Sequence, residues 1–200
     1  MTVPILEFYL NRHFEKVIKK RYGDAVKSIF RDFSSLLVAH LKRGVDIESA
    51  VRGYGIGFAY DRRIGRRDSH PYDIPWKTQL GFVVCVNPGP DAIAIAYIGF
   101  SRYRNQLIVH QIESIPGAEF FLEPFHWQRL LYSVMIALAD RIGYREVHVL
   151  PDSFIPDDTV TPSEACEMSS SRALCLYDDG PEQSGFQWND ATNTFTYVIP

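Results

Sequence analysis

Cysteine is scarce in this chain. Cys85, Cys166 and Cys175 are the whole supply, an odd number without a Cys-x-x-Cys spacing. That argues against a disulfide framework and fits a reducing cytoplasm. Long apolar runs are missing as well: no window approaches 18 uninterrupted apolar residues, so no membrane-spanning helix is expected. The opening MTVPILEFYL has no cationic n-region and is interrupted by Glu7, so it does not read as a secretory signal. Nor is there an excess of positive charge. Lys plus Arg number 21 against 24 Asp plus Glu, a net −3, which disfavours a globally basic nucleic-acid binder. Internal repeats are absent, and the only low-complexity tract is Ser169, Ser170 and Ser171.

What is present is apolar and aromatic bulk: 46% of the 200 residues are hydrophobic and 14% aromatic. A chain of this length removes roughly 70% of its unfolded surface from water, enough for a core without metal or disulfide staples. The expected organisation is one compact unit. A helical N-terminal segment, residues 1–75, packs on an α/β core, residues 76–200.

The patterns along the chain carry that division. Residues 4 to about 43 read as two helices reset at Gly23 and Asp24, the second with Val26, Ile29, Phe30, Phe33, Leu36, Leu37 and Leu41 at three- and four-residue steps. Gly44 closes it, and a short helix is expected over 46–52. Gly53, Gly55 and Gly57 then read as a flexible loop leading to Arg62, Arg63, Arg66 and Arg67. From Trp76 the texture changes. The β-forming runs 80–86, 92–100 and 106–113, separated by short turn-rich links, predict a three-stranded antiparallel meander. The first two runs are nearly all apolar, which implies cover on both faces. A helix from about Pro124 to Ile142 and a strand over 145–150 complete a crossover to a parallel neighbour. A helix within 162–179, announced by Thr161-Pro162-Ser163-Glu164, and a hairpin of 185–188 with 194–199 end the chain. The fold class is therefore α/β: a mixed, mostly antiparallel sheet with a βαβ core, preceded by helices.

The order meander, helix, parallel strand, helix, terminal hairpin resembles the latter part of a GNAT-type N-acetyltransferase. Ala173-Leu174-Cys175-Leu176-Tyr177 matches the Ala-x-x-Leu-Tyr signature of that family's last helix, and Gly185-Phe186 matches the pair before its final strand. The resemblance covers roughly residues 76–200. It implies acyl transfer from acetyl-CoA or another acyl-CoA to an amine of a small molecule or protein, by direct attack in a ternary complex. Tyr177 would protonate the departing thiolate; the other reading of Tyr177 is an aromatic packing the last helix on the sheet. Glu113, at the end of the third strand, would assist deprotonation of the acceptor, and Gln111 on the same face would orient it. Backbone groups of Ile112 and Ser114, where the two parallel strands diverge, would line the pantetheine arm. Gly117 and Ala118 would offer amides to the pyrophosphate. His110, three residues before Glu113, is expected on the opposite face of a regular strand.

One stretch departs from the family pattern. The cofactor loop is reduced to Gly117-Ala118 within Ser114-Ile115-Pro116-Gly117-Ala118-Glu119. Pro116 and Pro124 each lack an amide donor, Glu119 and Glu123 are acidic, and no Lys or Arg lies between Asn105 and Gln128. This favours a second class of function, a non-catalytic GNAT-like module that binds a protein or nucleic acid. Arg62, Arg63, Arg66 and Arg67, flanked by Tyr60 and Tyr72, are the candidate phosphate or nucleic-acid contact; a solvated surface loop is the plainer reading. None of the six histidines sits in a metal-binding spacing, so no metal is expected.

Overall fold

The computed structural model of the chain describes residues 12–60, 78, 80–89, 91–150 and 179–200. The expected helix within 162–179, Tyr177 and the four loop arginines lie outside the described residues.

A single helix, α1 (Arg12–Ala39), replaces the expected pair. Gly23 and Asp24 do not interrupt it. A glycine inside a helix costs about 1 kcal/mol relative to alanine. Burying each large apolar side chain returns roughly 1.5–3 kcal/mol, and Tyr22, Ala25, Val26, Ile29, Phe33 and Leu37 form one continuous buried stripe across that point. The helix also ends earlier than its periodicity suggests. Leu41 leaves it to bridge Phe125, and Gly44 takes its left-handed conformation (φ +85°) in the turn that follows. Helix α2 (Ile47–Gly53) starts where expected. The Asp46 side chain accepts from the Ser49 amide as its N-cap.

The glycine-rich stretch after α2 is a correction. Residues Tyr54–Tyr60 form strand β1 rather than a flexible loop. Strands β2 (Leu80–Val86), β3 (Ile93–Tyr103) and β4 (Gln106–Ser114) follow as the predicted meander. Next come the short α3 (Glu119–Leu122), α4 (Trp127–Arg141), β5 (Glu146–Val149), α5 (Asp179–Gln183), β6 (Gln187–Asn189) and β7 (Thr194–Val198). The strands make one seven-stranded sheet in the order β1-β2-β3-β4-β5-β7-β6. Every neighbouring pair is antiparallel except β4 and β5, which α4 joins as a parallel crossover. The fold is thus α/β, with a mixed and mostly antiparallel sheet.

Gly143 (φ +71°) stops α4 by the geometry its sequence announced: its amide reaches Asp140 O and that of Tyr144 reaches Ala139 O. The core lies between the sheet and α1 with α4. Phe58, Phe82 and Phe100 cluster on the sheet side at centroid separations of 5.1–6.4 Å. Leu130, Leu131, Val134, Met135 and Leu138 meet them from α4, all fully buried. No helix among the described residues is long and apolar enough to cross a membrane.

Candidate functional site

The face of the sheet turned away from α1 and α4 carries different chemistry. Strand alternation puts Tyr97 of β3 and Gln111 and Glu113 of β4 on it, because their chain neighbours Ile98 and Ile112 belong to the helix-side core. Tyr97 and Gln111 are each 1% exposed. Tyr97 Oη donates to Glu113 Oε2 at 2.6 Å. The Gln111 amide nitrogen donates to Glu113 Oε1 at 2.9 Å and to Tyr97 Oη at 3.1 Å. Both carboxyl oxygens of Glu113 are therefore held by side chains that are themselves fixed by burial. A network of this kind sets side-chain geometry tightly, since breaking one bond strands the others.

Gly99 makes room for it. A Cβ at this position would lie 2.6 Å from Thr78 Oγ1 and 3.4 Å from Gln111 Oε1. The Thr78 hydroxyl is anchored in turn on Leu80 O at 2.9 Å.

His110 does not stand where a regular strand would put it. Gly99 pairs with Gln111 but Phe100 pairs with Val109, so His110 is an extra residue in β4, a β-bulge. The bulge resets the alternation, and His110 joins Gln111 and Glu113 on one face. Its Nε2 lies 2.6 Å from Ser101 Oγ. Burial pushes the imidazole below its usual pKa, which favours its neutral form. The same face continues across β5 and β7 as a second polar cluster. His148 is 5% exposed, with Nδ1 at 2.9 Å from Thr194 Oγ1 and 3.2 Å from Thr196 Oγ1, and Nε2 at 3.0 Å from Glu146 Oε2.

The bulge also marks where the parallel ladder stops. β4 and β5 pair from Gln106 with Glu146 to Val109 with Val149, and the Leu150 amide adds a bond to Val109 O at 3.1 Å. β4 then runs on to Ser114 beside β3 alone among the strand pairs described. Of the residues expected to line this region, Ile112 turns its side chain into the core and Ser114 pairs with Ala96 at the end of the ladder.

Gly117 and Ala118 stand near the same end of β4 in the turn before α3, with Gly117 left-handed (φ +84°). Their amides are already engaged. Gly117 donates to Glu119 Oε1 at 3.3 Å and Ala118 donates to Ile115 O at 3.0 Å. The Glu119 carboxylate thus sits on one of the two amides that the resemblance assigns to a pyrophosphate, and the turn itself engages the other. Cys85 is buried, with its thiol pushed up to about 11 by desolvation, which leaves it unreactive. Among the described residues no group of three or more His, Cys, Asp or Glu is placed to hold a metal ion.

Sequence reasoning singled out Glu113 and Gln111 but missed Tyr97, hidden in an otherwise aliphatic run. It also placed His110 on the wrong face. The signal for Tyr97 was its position, opposite Glu113 across a short antiparallel turn. Compared with models of protein families, with curated proteins and with solved structures, the chain matches none.

Proposed function

We propose that the chain is a GNAT-like N-acyltransferase that uses acetyl-CoA or another acyl-CoA to acylate an amine by direct attack, in a reducing cytoplasm. The observation that carries this reading is Glu113. It is a carboxylate pinned by Tyr97 and Gln111 on β4, just past the point where the parallel ladder with β5 ends. The thioester of the carrier supplies an activated acyl group. The protein supplies orientation and proton transfer. As the amine nitrogen forms its bond to the acyl carbon and the carbon–sulfur bond breaks, Glu113 takes the amine proton, directly or through water. Gln111, rigid in its network, orients the acceptor, and the departing thiolate takes a proton from Tyr177. His110, brought to the same face by the bulge, is a second group for proton transfer within that wall. The sheet order supports the reading too: a meander, a helical crossover to a parallel strand and a terminal hairpin are what the resemblance implies.

A second reading is favoured by one specific observation, the Glu119 carboxylate seated on the Gly117 amide. A scaffold with its phosphate loop occupied by its own acid suits a non-catalytic module binding a protein or nucleic acid. Calorimetric titration with acetyl-CoA separates the two. Micromolar binding, together with a Glu113→Gln variant that binds as tightly but turns over at least tenfold more slowly, supports the enzyme. Absence of binding transfers the assignment to the module.

A further inference from the structure

The loop after β4 carries no Lys or Arg of its own, but cations gather where its far end, at Phe125, meets the end of α1. Where α1 ends, Leu41 bridges Phe125 in antiparallel fashion. The His126 amide donates to His40 O at 2.9 Å and the Lys42 amide to Pro124 O at 2.9 Å. Phe125 turns inward, 1% exposed. The register of the bridge sets His40 directly opposite His126, with Lys42 two residues beyond His40 and close enough to His126 for their charges to interact. Arg129 joins them from the first turn of α4 and reaches Gln183 of α5. His40 is half-buried, and its Nε2 is fixed 2.9 Å from Ser133 Oγ. Lys42 and His126 are exposed.

We propose that His40, Lys42, His126 and Arg129 form an anion site for a phosphate group, either free or carried on a larger molecule.

Four basic side chains at a two-residue bridge repel one another when charged, and like charges facing across paired strands are unfavourable. Both imidazoles register this. His40 is held below its usual pKa by burial, then by His126 and Arg129, and His126 by burial, then by Arg129 and Lys42. Glu123, the nearest acid in sequence, is exposed and is not among the charges that shift either ring. A phosphate between these groups reverses the balance. It accepts from the ammonium, the guanidinium fork and two rings that then take up protons. The site stands apart from the Gly117–Ala118 turn, whose donors are engaged, and it does not depend on acyl transfer.

The test is a titration of the full chain at pH 6.5, following the imidazole proton resonances of His40 and His126 by NMR. The probes are inorganic pyrophosphate, coenzyme A and citrate. Saturable movement of both rings by pyrophosphate supports the site, as does a tenfold or greater loss of affinity in Lys42→Glu/Arg129→Glu. Lys42→Glu alone, at an exposed position, guards against a folding defect and should weaken binding severalfold. Coenzyme A binding tenfold tighter than pyrophosphate assigns the phosphate to a larger carrier, and equal affinity assigns it to the free anion. Silent rings at millimolar pyrophosphate, citrate binding as tightly as pyrophosphate, or unchanged affinity in the double variant would each overturn the proposal. Pyrophosphate binding without coenzyme A binding keeps this site and removes the acyl-transfer reading. Coenzyme A binding that leaves His40 and His126 unmoved does the reverse.

Discussion

On one face of the sheet Phe82, Val84, Ile98, Phe100, Leu107 and Val109 meet α1 and α4, nearly all at 0% exposure. On the other face, the same strands present Gly81, Val83, Tyr97, Gly99, Gln111 and Glu113. Both faces are buried at β2 and β3, yet they use burial for opposite ends. The helix side removes apolar area from water, which is non-directional and tolerant of exchange. The far side holds polar groups in fixed bonds, where each partner has one geometry that satisfies it. Stability should therefore concentrate on the first face and positional precision on the second.

The sharpest way to break that comparison is to cut one residue from each face. Phe100→Ala removes a fully buried ring stacked near Phe82 and tilted over Phe58. It should cost about 3–5 kcal/mol in urea unfolding. Tyr97→Phe keeps its ring in place and loses only the hydroxyl that joins Glu113 and Gln111. It should cost about 1 kcal/mol. Equal costs, or the reverse order, would mean that the polar face carries the stability and the division above is wrong.

An effect smaller than that of Phe100→Ala comes from Gly99→Ala. The added methyl meets Thr78 Oγ1 at 2.6 Å, and that oxygen is tied to Leu80 O. The expected loss is about 1–3 kcal/mol, more than the gain of roughly 0.5–1 kcal/mol from a stiffer backbone. In a Thr78→Ala background the obstruction is gone, and the cost should fall well below its wild-type value. A cycle with no coupling between the two positions would show that the close approach is not the reason Gly99 is required.

Much of the fold was legible because its elements obey their own periods. The meander runs, the α4 stripe and the Gly143 stop are each local, and each stands within a few residues of its expected place. β1 was not legible, since Gly55 and Gly57 weaken any strand signal. Their value appears only when β2 lies alongside and Gly55 must clear Pro88, where a Cβ would come within 2.8 Å. Glu113 and Gln111 were readable as a same-face pair. The bulge at His110 was not, because it depends on the register of two strands rather than on the composition of one. The basic cluster at the Leu41–Phe125 bridge escaped for a similar reason: its two halves, His40 with Lys42 and His126 with Arg129, lie more than 80 positions apart in the chain and meet only through tertiary pairing.

The smallest expected effect is on pH dependence, and it draws one group from each side of the comparison. His40, at the bridge beside α4, and His110, on the polar face, are both held below the usual imidazole pKa, chiefly by burial. In the unfolded chain each returns to about 6.5. Below that value the unfolded state binds more protons than the folded one, so stability declines as pH falls and stops declining once the folded-state pKa is passed. Above about 7 neither group contributes to the slope. Asp46, held down by its bonds to Ser49, titrates too low to enter this window. Urea midpoints at pH 7.5, 6.5 and 5.5 should therefore fall step by step in the wild type and less steeply in a His40→Gln/His110→Gln variant. The single variants then apportion the slope. A larger share from His110 would extend the far face's role to proton uptake, and an unchanged slope in the double variant would assign the pH response to neither imidazole.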